Sequence, residues 1–332
     1  MKYLVNPSTD PHFNMAFDEF CLEQLQADEP VFYLWQNRPA VIIGLNQSAF
    51  AEVNLPYLEK NGIALARRVT GGGAVYHDLQ NLNYTITGRI RDLEHDYPEY
   101  AGTMVRALRK LGVPAELSGR NDILVDGRKC SGYAKRVSRE RLMVHGTLMY
   151  DVDIDSLTQA LAVPGSKLSA AGVASVRSRV ANLKAYLPGC PDIRALQAAL
   201  QAIMAGPDGE ITLSPVQIAG IEARAAARFR TWDWIYGHSP AAAFAVRRKF
   251  PCGTVEARFS IRNGRLEHLR FGGDFMGNLP SSRLETALEE CPFTKEALLE
   301  TLRKEPVENC FDRLSPDDLA GLLLDAQEPD RT

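Results

Sequence analysis

"DILVDGRKCSG", residues 122–132, followed by "LMVHGTLMYDVD" at 142–153, decides the architecture. Short runs of Ile, Leu and Val lie next to Asp126-Gly127, and an Asp-Gly step supplies the two left-handed residues that a tight hairpin turn needs. With "AELSG" at 115–119 before them, these runs predict successive strands of one sheet. Toward the N-terminus, "NLNYTITG" (81–88) alternates as a further strand, and "VFYLW" (31–35) and "AVIIG" (40–44) read as strands joined by the turn "QNRP". "IALARRV" (63–69) and "AVYHD" (74–78) flank three consecutive glycines, which predicts a strand-to-strand connection.

Between these runs the period changes to that of helices. "NMAFDEFCLEQLQ" (14–26) has apolar residues three and four apart, with Asn14 as its expected cap and Asp18 and Glu19 early, where negative charge is favoured. "EYAGTMVRALRKLG" (99–112) sets Met104, Leu108 and Leu111 on one face and stops at Gly112. "DIDSLTQAL" (153–161), "DIRALQAALQAIMAG" (192–206) and "PVQIAGIEARAAARF" (215–229) are further helices. The composition shifts at "IYGHSPAAAFAVRRKF" (235–250), after which Asn263-Gly264 marks a hairpin, two short helical patterns follow, and "SPDDLAGLLLDA" comes last. The expected fold is α+β: a large mixed-sheet domain with flanking helices over residues 1–240, and a small C-terminal α/β domain over 247–332.

At 332 residues the chain exceeds the usual size of one domain. Its 38 Lys and Arg against 41 Asp and Glu give no whole-surface attraction to nucleic acid or anionic lipid. No apolar run approaches the roughly 20 residues that span a bilayer, and the N-terminus lacks the pattern of a signal peptide. Six widely spaced cysteines form no CxxC pair, so reduced thiols in the cytoplasm are the simplest expectation.

"RRVTGGGAVYHD" (67–78) is the most unusual local feature. Its glycines have neither Walker A nor GxGxxG spacing, and the chain carries no HExxH or GxSxG. Gly71, Gly72 and Gly73 still permit close backbone approach to a ligand, and Arg67 and Arg68 offer contacts to anionic oxygens. A structural turn is the equal alternative. Adjacent strand residues point to opposite sides, so one arginine is expected in any given pocket, and His77 and Asp78 are not expected to face one another.

Five ordered segments, "RRVTGGGAVYHDLQNLNY", "NDILVDGRKCSGYAKR", "HGTLMYDVD", "KLSAAGVASVRSRVANL" and "KFPCGTVEARFSIRNGRLEHLRFGGDF", together resemble the lipoate-protein ligase family, within the biotinyl/lipoyl transferase fold group. The resemblance runs through nearly the whole chain and implies a two-step reaction. ATP and lipoate form lipoyl-AMP, and the lipoyl group then passes to a lysine of a lipoyl-accepting domain. It implies Mg2+ with the ATP, octanoate as a shorter substrate, and as partners the lipoyl domains of 2-oxoacid dehydrogenase acyltransferase subunits and the glycine cleavage carrier protein. Residue by residue, Lys129 corresponds to the family's catalytic lysine, with Ser131 and Gly132 beside it. Asn121 and Asp122 fall at a polar end of the pocket, Asp122 being available to Mg2+ or to the acceptor lysine. The resemblance puts His77 at the nucleotide end, with a strand-end hydrogen-bonding histidine as the equal alternative, and gives His145 a place supporting the pocket; Val75, from an apolar run, is a candidate for the acyl wall, with ordinary core packing as its plainer reading. Gly172, Ser175, Arg177 and Arg179 belong to the adenylate-binding loop, where arginines two apart in an extended segment address one anion.

Without the resemblance, Lys129 reads as a solvated turn lysine, Asp122 as a turn or capping residue, and the two loop arginines as partners of exposed acids. Cys130 raises a rival, an ATP-independent acyl transferase acting through a thioester. Alternation argues that Lys129 and Cys130 face opposite ways, which predicts a packing role for the thiol. A non-catalytic lipoyl-domain binding protein is the alternative from another class.

Overall fold

The computed structural model describes residues 1–47, 49–119, 121–161, 178–205, 209–235, 244–262 and 265–325. The chain divides into two compact units, one of Met1–Ile43, Phe50–Val69 and Ala74–Ile235, the other of Gly44–Ala49, Thr70–Gly73 and Tyr236–Thr332.

The first unit contains β1 (Lys2–Leu4), β2 (Val31–Trp35), β3 (Ala40–Ile43), β4 (Ala64–Arg67), β5 (Val75–His77), β6 (Asn81–Arg89), β7 (Ala115–Ser118), β8 (Asp122–Val125), β9 (Arg128–Ser138), β10 (Arg141–Met149) and β11 (Glu210–Ile211). Eight of them form a mixed sheet in the order β11-β1-β2-β6-β10-β9-β8-β7, and β4-β3-β5 form a second, smaller sheet. Strand β3 runs parallel to β4 and antiparallel to β5, so the glycine run joins the two edges of that small sheet. These elements are the expected α+β arrangement.

Alternation along β6 divides the large sheet into two unlike faces. Leu82, Tyr84 and Ile86 enter an apolar core with Phe32, Leu34, Leu142 and Val144. That core is covered by Tyr100, Met104 and Leu108 of the helix Leu93–Lys110 and by Leu196 and Leu200 of the helix Ile193–Met204. Each such side chain contributes about 1.5–3 kcal/mol relative to exposure. Asn81, Asn83, Thr85 and Thr87 point the other way and are also buried. The polar face is covered in part by the helix Pro11–Glu23, which packs against β4, β6 and β10.

That helix begins earlier than its periodicity predicts. Asp10 is the cap, accepting hydrogen bonds from the backbone N–H of His12 and Phe13, and Pro11 takes the first helical position, where its missing N–H does no harm. Asn14, the expected cap, therefore lies inside the helix, and Asp18 and Glu19 lie in its middle rather than its first turn. Residues 13 to 22 are all buried, which explains why no single apolar stripe is visible in them.

In the second unit β12 (Phe244–Phe250), β13 (Gly253–Arg262) and β14 (Arg265–Gly273) form an antiparallel sheet. Its core gathers Phe259, Phe271, Phe275 and Phe311 with leucines of the helices Ser282–Leu288, Lys295–Leu302 and Pro316–Leu324. Residue 262 pairs with 265, as a two-residue hairpin requires, while Asn263 and Gly264 lie outside the described residues.

Candidate active site

Strand registry builds the site in rows. Tyr33 on β2 stands opposite Thr85 on β6, which stands opposite His145 on β10, so the three side chains share the polar face. Asp18 reaches down from the Pro11–Glu23 helix onto this row. Its carboxylate accepts from the Tyr33 hydroxyl at 2.6 Å and the Thr85 hydroxyl at 3.0 Å, and meets His145 Nδ1 at 2.6 Å. All four groups are buried, and a buried carboxylate needs such partners. His145 is thus tied into the wall by Asp18.

The next row runs from Trp35 to Asn83 to Thr147. Thr147 Oγ1 accepts from the Gly132 N–H at 3.2 Å, and Gly132 pairs with Asp122 on β8. At this end stands Lys129, whose ammonium lies 2.8 Å from Asp122 Oδ1, with side chains 41% and 35% exposed. The ammonium lies over Gly132: a Cβ there would come within 3.3 Å of Lys129 Nζ.

A bulge puts the lysine on this face. Ile123 pairs with Ser131 and Leu124 with Lys129, so one extra residue, Cys130, interrupts the β8–β9 ladder. Strict alternation would send Lys129 to the side of Ser131 and Tyr133, whereas the extra residue returns it to the side of Gly132 and Asp122. Cys130 turns into the apolar core at 0% exposure, donating to the Ile123 carbonyl, and burial pushes its thiol up to about 12. Ser131 is buried as well, beside Tyr84 on the core side, so it does not share the face of Lys129.

Arg67 and Arg68 are both buried. Arg67 donates to the backbone carbonyls of Trp234 and Ile235 at 2.9 and 2.7 Å, and Arg68 to that of Ile42 at 3.1 Å. Burial lowers both guanidinium pKa values to about 10, Arg67 adding to the effect at Arg68. His77 is buried beside Trp35, its Nδ1 3.0 Å from Asn37 Nδ2. Burial first, then the charge of Arg68 and the nearby His145, lower its pKa to about 3, so the ring is neutral. Val75 lies two residues before His77 on β5 and is half-buried. Asp78 instead accepts from the backbone N–H groups of Gln80 and Asp153, away from His77.

The glycines have a structural use within the second unit. A Cβ on Gly71 would overlap the Phe275 carbonyl oxygen, and the Gly72 N–H, at a left-handed φ of 91°, donates to that same oxygen at 3.3 Å. Gly73 lies near Asp274. Asn121 binds β9, its Nδ2 donating to the Tyr133 carbonyl at 2.9 Å. Arg179 precedes Val180, which bridges to Lys129, so the structure brings it beside the lysine strand. Gly172, Ser175 and Arg177 lie outside the described residues. Among the described residues no three His, Cys, Asp or Glu side chains gather as a metal site, and no helix is long and apolar enough to cross a membrane.

Sequence reasoning missed Asp18, Asn37 and Thr147. Asp18 carried one signal, an acidic residue inside an otherwise apolar helix; Asn37 and Thr147 carried none, since their partners are distant in the chain.

Two families match the chain, "Lipoyl protein ligase A/B catalytic domain" over residues 10–205 and "Bacterial lipoate protein ligase C-terminus" over 239–323. Lipoate-protein ligase LplJ of Bacillus subtilis is 35% identical over 320 residues, covering 95% of this chain and 97% of that protein. Among solved structures, an archaeal bi-partite lipoate protein ligase with its E2 lipoyl domain, from Thermoplasma acidophilum, superposes with a TM-score of 0.65 at 28% identity, over 73% of this chain and 98% of that one. A lipoate-protein ligase A bound with ATP superposes with a TM-score of 0.62 at 28% identity, over 71% and 98%.

Proposed function

This chain belongs to the lipoate-protein ligase family, and from that membership we propose that it activates lipoate with ATP as lipoyl-AMP and transfers the lipoyl group to a specific lysine of a lipoyl-accepting domain. The observation that carries the reading is the Lys129 ammonium, turned by a bulge onto the polar face and held over Gly132 by Asp122. A carboxylate is a poor acyl donor, and adenylation gives it a better leaving group. Lys129 offsets the charge crowded between carboxylate and α-phosphate in the first step and the charge on the carbonyl oxygen in the second. In this proposal Asp122 receives the incoming ammonium of the acceptor.

Arg68, Val75 and His77 are assigned to the substrate pocket, and Arg179, with Gly172, Ser175 and Arg177, to the adenylate. Octanoate fits the same apolar demand, each buried CH2 contributing about 0.8 kcal/mol. Mg2+ would come chiefly with the phosphates, because a single carboxylate already paired with Lys129 suits at most a water-mediated contact. The ATP-bound relative supports the nucleotide, and the relative solved with its E2 lipoyl domain supports the acceptor class. Lipoyl domains of 2-oxoacid dehydrogenase acyltransferase subunits, the glycine cleavage carrier protein and a cytoplasmic setting are part of the same proposal. Against an acyl-cysteine route stand the burial and raised pKa of Cys130.

The test incubates the protein with ATP, lipoate and an isolated lipoyl domain, following AMP, diphosphate and acceptor mass. Lipoylation requiring ATP supports the proposal; equal lipoylation without ATP from an acylated carrier replaces it with the transferase.

A further inference from the structure

His77 ends a chain of side-chain amides whose direction is fixed by backbone groups. The Ser8 N–H, which can only donate, bonds to Asn6 Oδ1 at 2.9 Å, so Asn6 presents its Nδ2 to Asn14 Oδ1 at 3.0 Å. Asn14 Nδ2 donates to the carbonyls of Ser8 at 3.2 Å and Gln36 at 3.0 Å, which can only accept, and to Asn37 Oδ1 at 2.8 Å. Both ends of Asn14 are thereby assigned by groups with one role each. Asn37 then has its Oδ1 occupied and turns its Nδ2 to His77 Nδ1 at 3.0 Å. An amide NH2 has only protons to offer, so Nδ1 must accept and the ring proton must sit on Nε2. That Nε2 is buried and has no hydrogen-bond partner among the described residues.

We propose that Asn37, oriented by Asn14, is a positioning residue that holds His77 as a neutral imidazole with its one proton on Nε2, making His77 a fixed hydrogen-bond donor to an oxygen of the acyl adenylate and not an acid or base. Asn14 and Asn37 are almost fully buried, as a residue that sets a tautomer must be if water is not to compete. The charged and titratable groups facing the ring, Arg68 and His145, oppose a second proton on it. An unpartnered buried donor is destabilising on its own, and an acceptor supplied by the ligand removes that cost. The tautomer follows from the protein alone; only the identity of the acceptor rests on the ligase reading.

The experiment is long-range proton–nitrogen NMR of the full chain labelled with 15N-histidine, the His77 signals being identified by their loss in His77→Gln. The expected spectrum shows His77 neutral with its proton on Nε2, unchanged from about pH 8 to pH 5.5, well above its ring pKa of about 3. Asn37→Asp, which can only accept, is expected to move the proton to Nδ1 or to add a second one. It should also lower kcat/KM for adenylation by roughly 10- to 100-fold, the range seen when a partner holding a functional imidazole is lost. Asn14→Asp, one link further out, reverses the Asn37 amide and should produce the same change of tautomer. A wild-type ring protonated on Nδ1, or titrating near neutrality, overturns the proposal whatever the variants do, and so does an Asn37→Asp protein that folds and keeps the Nε2 proton. Absence of adenylation in the wild type, with the expected spectrum, overturns the ligase reading and leaves the tautomer standing.

Discussion

Lys129 and Asp122 form an ion pair still open to solvent, and such pairs contribute about 0–1 kcal/mol to stability. Replacing Lys129 by alanine is therefore expected to leave the melting temperature nearly unchanged. Adenylation and transfer, followed as AMP release and acceptor mass, should each fall by about 10²–10³-fold, the usual result of removing one preorganised electrostatic group. Unchanged product formation would remove Lys129 from the mechanism. Gly132→Ala asks a finer question. The added methyl would lie 3.2 Å from Lys129 Cε, and the flexible end of a side chain yields cheaply. The fold should tolerate it, while displacement of the ammonium lowers turnover roughly 10- to 100-fold. How these residues read in the sequence depends on distance along the chain. Asp122 and Lys129 lie seven apart and belong to one hairpin, so a motif captures them, although composition alone makes Lys129 a solvated turn lysine. Asp18 and His145 lie 127 positions apart and meet only after the chain between them has folded, and no local pattern announces such a pair.

Among the elements, β6 was legible in full. Its alternation sorts Leu82, Tyr84 and Ile86 from Asn81, Asn83, Thr85 and Thr87, and the structure uses both sets as faces of one sheet. The start of the Pro11–Glu23 helix was misread because the apolar periodicity begins at Met15, whereas the Asp10-Pro11 step sets the boundary by capping chemistry. The bulge in β9 was not legible at all, since one extra residue leaves no mark on composition. The triple glycine reads equally as a ligand loop or a structural turn, and its first member is demanded by backbone of its own unit. Gly71→Ala must shift the Phe275 carbonyl and is expected to destabilise the protein by about 1–3 kcal/mol in denaturant unfolding. Gly73→Ala, with 3.8 Å to the Asp274 Cβ, should change stability far less. Equal effects of the two would show that packing does not distinguish them.

For the molecule as a whole, the buried imidazole of His77 links folding to pH. Unfolded histidine binds a proton near pH 6.5, whereas native His77 resists until about pH 3. Above pH 6.5 both states are neutral and the term is constant. As the pH falls from 6.5 to 3 the unfolded state takes up the proton first, so stability declines, by an amount on the order of a few kcal/mol. Melting temperatures recorded across that range should fall less steeply in His77→Gln than in the wild type; parallel slopes would mean that the native ring takes up its proton as readily as the unfolded one. The comparison concerns slope, since the substitution also changes the level.

The bulged residue acts on the β8–β9 hairpin as a frameshift acts on a message. Substitutions at Cys130 alter one side chain, but inserting a residue on β8 between Ile123 and Leu124 would give the bulged position a partner, restore two-residue phase along the ribbon and send the ammonium into hydrocarbon, opposite the carboxylate it now meets. This hairpin should accordingly be far less tolerant of changes in length than of changes in letter, and loop grafts into the site must preserve the count between 122 and 132 before they preserve its chemistry.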